Sequence, residues 1–174
     1  MDLNKITKVA VFDFDGTLIN TTMPEEGKKI WKKIKGEDYP HKGWWSKRES
    51  LDINLFSNDY FIDIKEMYDN VKKEENTFVT LCTGRITPLT KQVKAILDKH
   101  NFEFDDVVLA GDKRFNNGAK DTVNFKINYL KSLKEQFPNL EKIDFWDDRK
   151  MHSEAFLNWG ESQEVIFNYY LVEH

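Results

Sequence analysis

The stretch Val9-Ala-Val-Phe-Asp13-Phe-Asp15-Gly-Thr17-Leu18 decides the fold. An apolar run ends in two carboxylates two positions apart, and a glycine follows. Lys8 to Phe12 reads as a buried strand, and Gly16 lets the chain turn sharply after it. If the extended conformation continued, Asp13 and Asp15 would share one face. Like charges at a strand end repel, so the pair points to a cation or a substrate that uses them rather than to an ordinary solvated turn.

Outward from that stretch, Phe78 to Cys82, Asp106 to Ala110, Lys142 to Trp146 and Glu164 to Leu171 are rich in Val, Ile, Phe or Leu and read as further strands. Helical spacing links Tyr60, Ile64, Met67 and Val71, then Leu89, Val93, Ile96 and Leu97, then Val123, Ile127 and Leu130. Pro88 suits a first helical turn, and Thr122 or Asp121 suits the cap of the helix that contains Lys126. The alternation predicts an α/β fold, a three-layer Rossmann-like parallel sheet of about five strands, with functional groups at the carboxyl ends of the strands. Residues 19–59 break the pattern with a Lys-rich helix around Glu25 to Lys35 and the aromatic Gly43-Trp44-Trp45. They read as a small cap inserted after the first strand of a single domain spanning 1–174, with a core of 1–18 and 60–174. The polar stretch Gly111 to Lys120 reads as an exposed loop.

With 174 residues, 40% of them hydrophobic, the chain can bury one sizeable core. Its net charge of -4 gives no global attraction to nucleic acid or acidic membranes, so a polyanionic partner must be held locally. The single cysteine, Cys82, excludes an internal disulfide and reads as core filler in a reducing compartment. No apolar stretch approaches the roughly 20 residues that span a bilayer, and the N-terminus lacks the apolar core of a secretion signal. The expectation is a cytoplasmic protein with no membrane partner. His41, His100, His152 and His174 are scattered, which disfavours zinc.

Asp13-x-Asp15-x-Thr17 after a first apolar strand resembles the first motif of the haloacid dehalogenase (HAD) superfamily. The resemblance implies a HAD-like fold in which Asp13 attacks phosphorus, Asp15 serves as acid and then base, and Thr17 supports the loop. A carboxylate is a competent nucleophile for an acyl phosphate, and a two-step transfer lets water finish the reaction. Thr83-Gly84-Arg85, closing the second strand, resembles the second motif. Thr83 and the neighbouring amides would bind a phosphoryl oxygen, Gly84 would permit the approach, and Arg85 would contact a substrate anion or form a surface ion pair. Lys126 resembles the third motif and would offset the charge of Asp13 and the phosphoryl group, with Lys120 the competing candidate. Asp147-Asp148-Arg149 resembles the acidic fourth motif. Magnesium would then be held by Asp13, Asp147 and the backbone carbonyl of Asp15, with Asp148 reaching a metal-bound water.

Asp147-Asp148-Arg149-x-x-His152 with Phe156, the Asn124-Phe125-Lys126 context, Trp31 and Gly43-Trp44-Trp45 narrow the resemblance to the Swiss Army Knife RNA-repair-like HAD domains. His152 reads as a helix residue packed beside Phe156, with orienting Asp148 or touching substrate as the alternative. The implied activity is a magnesium-dependent phosphatase working through an aspartyl-phosphate, on nucleic-acid ends or nucleotides. Its partner is a phosphorylated substrate, either a small molecule or a nucleic-acid end. Lys28, Lys29, Lys32, Lys33, Lys35, Lys42, Lys47 and Arg48 lie beside Trp31, Trp44 and Trp45 in the cap. They give an alternative of another class, a catalytically weak HAD-fold module that binds RNA or a protein partner through a basic aromatic surface. A phosphoacceptor receiver domain fits less well, because it carries its phosphorylated aspartate after the third strand, where Asp106 to Gly111 ends without one.

Overall fold

The order of apolar and polar segments in the chain becomes five strands and five helices in the computed structural model, which describes residues 2–115 and 121–174. The strands are β1 (Lys8–Phe12), β2 (Thr77–Ile86), β3 (Asp106–Ala110), β4 (Lys142–Asp147) and β5 (Ile166–Leu171). The helices are α1 (Pro24–Lys35), α2 (Ile62–Val71), α3 (Thr90–Lys99), α4 (Thr122–Gln136) and α5 (Lys150–Glu161). All strand pairs are parallel, in the order β3-β2-β1-β4-β5. Phe12 lies opposite both Leu81 of β2 and Trp146 of β4. Chain order reverses between β1 and β4, and at such a switch point the connections leave in opposite directions and open a crevice at the carboxyl ends of the strands.

Strand alternation sends successive side chains to opposite layers. Ala10, Phe12, Val79, Leu81 and Trp146 join Ile64, Tyr68, Val93 and Ile96 beneath α2 and α3. Val9, Val11, Cys82, Ile143 and Phe145 join Phe125, Leu130, Leu133 and Phe156 beneath α4 and α5. The predicted α/β architecture is therefore observed, with several shifts of boundary and face. Helix α2 begins at Ile62, so Tyr60 precedes it, is 38% exposed and bridges Ile19 instead. Tyr68, not Met67, completes the buried face with Ile64 and Val71, because its hydroxyl donates to the carbonyl of Glu103 at 2.6 Å while its ring packs on Phe12. In α4 the buried face is Phe125, Lys126, Tyr129, Leu130 and Leu133, and Val123 and Ile127 are only half-buried at its side. Asp121 is the cap, accepting from the Asn124 amide at 2.8 Å, and Pro88 sits in a short 3-10 turn leading into α3. Strand β2 runs past Cys82 to Ile86, with an irregularity against β3 between Thr83 and Ile86. Residues 116–120 of the expected loop, Lys120 included, lie outside the described residues.

Between β1 and α2 the chain forms α1, a 3-10 turn at Arg48–Leu51 and connecting loops. An aromatic cluster holds this segment together. Trp44 is buried, its Nε1 donating to the Thr22 carbonyl at 3.0 Å and its ring contacting Tyr39 and Phe56. Gly27 of α1 admits the Trp44 ring so closely that a Cβ there would lie 2.1 Å from it. Among the described residues, no helix is long and apolar enough to cross a membrane.

Candidate active site

At the switch point, Asp13 continues the face of Val9 and Val11, and Asp147 continues that of Ile143 and Phe145. Both carboxylates therefore emerge towards α4, which brings up Lys126 from the opposite side. The Lys126 ammonium, 1% exposed, lies 3.0 Å from Asp13 Oδ2 and 2.5 Å from Asp147 Oδ2. The other Asp147 oxygen accepts from the Arg149 amide at 2.8 Å and from the Tyr169 hydroxyl at 3.5 Å. Asp148 completes the group, one oxygen each of Asp13, Asp147 and Asp148 lying within 4.8 Å of the others. Gly16 is needed here, since its φ is +70° and a Cβ would stand 2.3 Å from Asp148 Oδ2.

Among the described residues three carboxylates meet one ammonium, so with all three ionised the cluster is short of two positive charges. Asp13 Oδ1 and Asp148 Oδ1 are buried with no hydrogen-bond partner among the described residues. Orphaned oxygens and a deficit of two positive charges fit a hard divalent cation. Burial pushes the Asp13 carboxyl up, to about 7, with Lys126 opposing and Asp147, Asp15 and Asp148 adding to the rise. Burial and then Asp147 likewise raise Asp148. Burial works against the Lys126 charge, but Asp13 and Asp147 outweigh it and hold the ammonium above its ordinary pKa.

A cavity of about 200 Å³ opens beside this cluster, lined by Asp13, Asp15, Trp45, Gly84, Arg85, Thr122, Lys126 and Arg149. Asp15 faces it but is engaged elsewhere, its carboxylate accepting from Thr21 Oγ1 at 2.7 Å and from Arg85 Nε and Nη2 at 2.8 and 2.6 Å. Arg85 is neither a surface ion pair nor a free anion hook. It is buried, and its Nη1 donates to the Trp45 carbonyl and Ser50 Oγ. Thr83 stands behind the wall. It shares the strand face of Val79 and Leu81, is fully buried, and its Oγ1 accepts from the Arg85 amide at 3.1 Å, so Gly84 rather than Thr83 lines the cavity. Thr17 is also fully buried, with no partner for its hydroxyl among the described residues. His152 lies in α5, its ring 6.4 Å from that of Phe156, and burial lowers its pKa.

The sequence reading did not assign Thr122, Arg149, Trp45 or Tyr169 to the site. Arg149 follows the acidic pair directly, and Tyr169 pairs in register with Phe145, so both carried a positional signal. Trp45 stood out only within the Gly43-Trp44-Trp45 feature and the basic aromatic surface, and its place at this cavity depends on how the segment before α2 folds back. Of the three tryptophans in the expected basic aromatic surface, Trp44 is internal and Trp31 packs edge-on against Tyr39, leaving Trp45 alone at the cavity. The lysines of α1 are exposed, and Lys32 pairs with Asp38 at 2.9 Å.

Comparison with known proteins gives one matching family, HAD domain family 1 in Swiss Army Knife RNA repair proteins, over residues 26–170. The match begins after Asp13 and Asp15, so it rests on the rest of the chain. The uncharacterized protein YMR265C of Saccharomyces cerevisiae is 23% identical over 92% of this chain, which spans only 38% of that relative's length. Among solved structures, the HAD domain of the effector protein Lem4 from Legionella pneumophila aligns over 97% of this chain and 87% of its own, at 12% identity and a TM-score of 0.54. A chain of the Pnkp1/Rnl/Hen1 RNA repair complex aligns over 97% of this chain and 44% of its own, at 16% identity and a TM-score of 0.57. A HAD-superfamily hydrolase of subfamily IA from Geobacter sulfurreducens aligns over 94% and 86%, at 15% identity and a TM-score of 0.51. At such identities these structures share the fold.

Proposed function

This chain belongs to the family of HAD domains found in Swiss Army Knife RNA repair proteins, and from that premise we propose that it is a magnesium-dependent phosphohydrolase that works through a phosphorylated Asp13. The observation that carries the reading is the buried Lys126 ammonium held between Asp13 and Asp147, with Asp148 completing a carboxylate cluster short of two positive charges. Holding such a cluster out of water is costly unless a ligand uses it, and unused buried charges are readily replaced by apolar packing.

In this reading the unpartnered Asp13 Oδ1 attacks phosphorus, and the bond from phosphorus to the leaving oxygen breaks. The Asp15 carboxyl gives its proton to that oxygen. Asp15 then takes a proton from water as the water oxygen attacks phosphorus, and inorganic phosphate leaves as the Asp13 carboxylate re-forms. Lys126 offsets negative charge on the transferring group, and the Gly84 backbone and Thr122 border the space it occupies. Asp13, Asp147 and Asp148 would hold magnesium, which supplies positive charge beside the phosphoryl oxygens.

Membership of a family of RNA repair proteins, and the fold shared with a chain of the Pnkp1/Rnl/Hen1 RNA repair complex, support phosphorylated nucleic-acid ends, with nucleotides as smaller versions, as the substrate class. The test is phosphate release from 5'- and 3'-phosphorylated RNA and DNA, nucleotides and small phosphomonoesters, in magnesium and in EDTA, beside Asp13→Asn and Lys126→Ala. Release that needs magnesium and vanishes in both variants is expected. RNA binding that survives in both variants, with no turnover of any substrate, would instead establish the binding-module reading.

A further inference from the structure

Arg85 is the largest of the side chains buried almost completely, at 2% exposure, and its guanidinium cannot shed its charge. Three parts of the chain satisfy it. Asp15, just beyond β1, takes Nε and Nη2 in a fork. The Trp45 carbonyl and Ser50 Oγ, both from the segment between α1 and α2, take Nη1 at 2.8 and 2.7 Å. The Trp45 ring covers the guanidinium face at 4.8 Å. Four of its five N–H donors are therefore spent, two on the carboxylate and two on the overlying segment.

That division has an energetic consequence. If residues 45–50 lifted away, Nη1 would lose both acceptors and the guanidinium its aromatic cover. If Asp15 turned away, a buried cation would lose its counter-charge. Either change weakens the remaining contacts of Arg85, so the seating of residues 45–50 and the orientation of the Asp15 carboxylate are linked, and linkage runs equally in both directions. We propose that Arg85 is a positioning residue that locks the Asp15 carboxylate to the cap segment 45–50, so that Asp15 is held in place over the phosphoryl cavity only while that segment is seated. Arg85 acts through Asp15. The catalytic half of this inference rests on the phosphohydrolase reading, whereas the linkage itself does not.

Amide hydrogen exchange on the full chain, read by mass spectrometry without substrate, tests the linkage. Arg85→Gln and Asp15→Asn are each expected to speed exchange in residues 45–51 by about tenfold or more, since charge-assisted bidentate contacts are lost. The double variant should exchange no faster than the faster single one, and β1 and β4 amides should be unchanged. Ser50→Ala, which removes one acceptor and leaves the ion pair intact, should give a smaller rise in the same peptides. Unchanged exchange in Asp15→Asn, or additive effects in the double variant, would overturn the proposal. Should Arg85→Gln unfold, seen as fast exchange in β4, the Ser50→Ala and Asp15→Asn results decide alone.

A second readout separates positioning from bulk stability. Arg85→Gln should lower kcat by about a hundredfold with KM within about threefold, and more severely for alkyl phosphates than for 4-nitrophenyl phosphate, whose leaving oxygen needs no proton. Arg85→Lys, keeping charge but not the fork, should recover part of the loss. A uniform loss across leaving groups would overturn the positioning role. If the unaltered chain releases phosphate from nothing while the exchange pattern holds, the phosphohydrolase reading fails and the linkage stands.

Discussion

Lys126→Met keeps most of the side-chain volume and removes the ammonium that lies between Asp13 and Asp147. Two buried carboxylates would then face each other with oxygens within 4.8 Å. At an effective dielectric constant of about 20, like charges at about 5 Å repel by about 3 kcal/mol. Breaking a buried pair by removing one partner costs about 3–5 kcal/mol in general, and the two figures describe the same loss rather than terms to be added. The variant should therefore lose about 3–5 kcal/mol of unfolding free energy at pH 8 in EDTA. The loss should also depend on pH in a definite sense. Asp13 stands at about 7 in the folded chain with Lys126 opposing the rise, and removing Lys126 sends it higher. A carboxyl whose folded pKa exceeds its unfolded value of about 3.9 binds its proton better when folded, so stability is kept in acid and falls as pH rises towards and through the folded pKa. The deficit of Lys126→Met should accordingly shrink between pH 8 and pH 5. It should also shrink, by at least about 1 kcal/mol, when measured in an Asp13→Asn background, because these groups share one network. Urea denaturation of the four proteins at both pH values gives the cycle. A deficit below about 1 kcal/mol at pH 8, or one indifferent to both pH and Asp13→Asn, would refute the account of Lys126 as counter-charge.

Other parts of the structure give separate expectations. Gly16→Ala places a methyl where φ is +70° and Asp148 Oδ2 is 2.3 Å away, so it should cost about 1–3 kcal/mol and abolish any magnesium-induced rise in Tm, measured by calorimetry with and without the ion. Gly27→Ala meets the Trp44 ring at 2.1 Å and should speed proteolytic cleavage within residues 20–59 while the circular dichroism of the sheet persists. Asp144, on the opposite face of β4 from Asp147, is buried, which would raise its pKa, but Asn168, Lys142 and Lys8 outweigh that and hold the carboxyl below its ordinary value. Its stabilisation is therefore present above about pH 4 and lost as pH falls through the depressed folded value, so Asp144→Asn should be less stable than the parent at pH 7 and converge with it below about pH 3.

The parallel core was legible because its strands are continuous apolar runs and its helices repeat with period 3.6, both local properties of the chain. That is why β1 and β3 have the expected ends, and why Asp13 and Asp147, each closing such a run, meet at the switch point. Lys126 was legible through its resemblance to the third motif of the HAD superfamily, and it lies just inside the capped start of a helix with an apolar face. Met67 and Tyr60 misled because periodicity counts apolarity alone, whereas the Tyr68 hydroxyl finds a backbone partner that lets a half-polar ring take the buried place.

The segment before α2 was illegible for a different physical reason. Its core is a cluster of aromatic rings packed across loops, where no period exists to be read, and tryptophan next to lysine in sequence says nothing about which ring turns inward. Trp44 and Trp45 are neighbours with opposite fates, one filling the space that Gly27 leaves and the other covering Arg85. The guanidinium decides the second fate. A cation that follows Gly84 at the end of a strand must be buried with acceptors or swing into solvent, and the acceptors that keep it inside come from Asp15 and from residues 45–50 together. No reading of one strand end could supply that information, because the burial of Arg85 belongs to the contact between β2 and the segment before α2. The same fact ties that segment to the candidate site: its backbone and one hydroxyl satisfy the residue that holds the Asp15 carboxylate, so a change at Ser50, which does not line the cavity, is expected to register at Asp15.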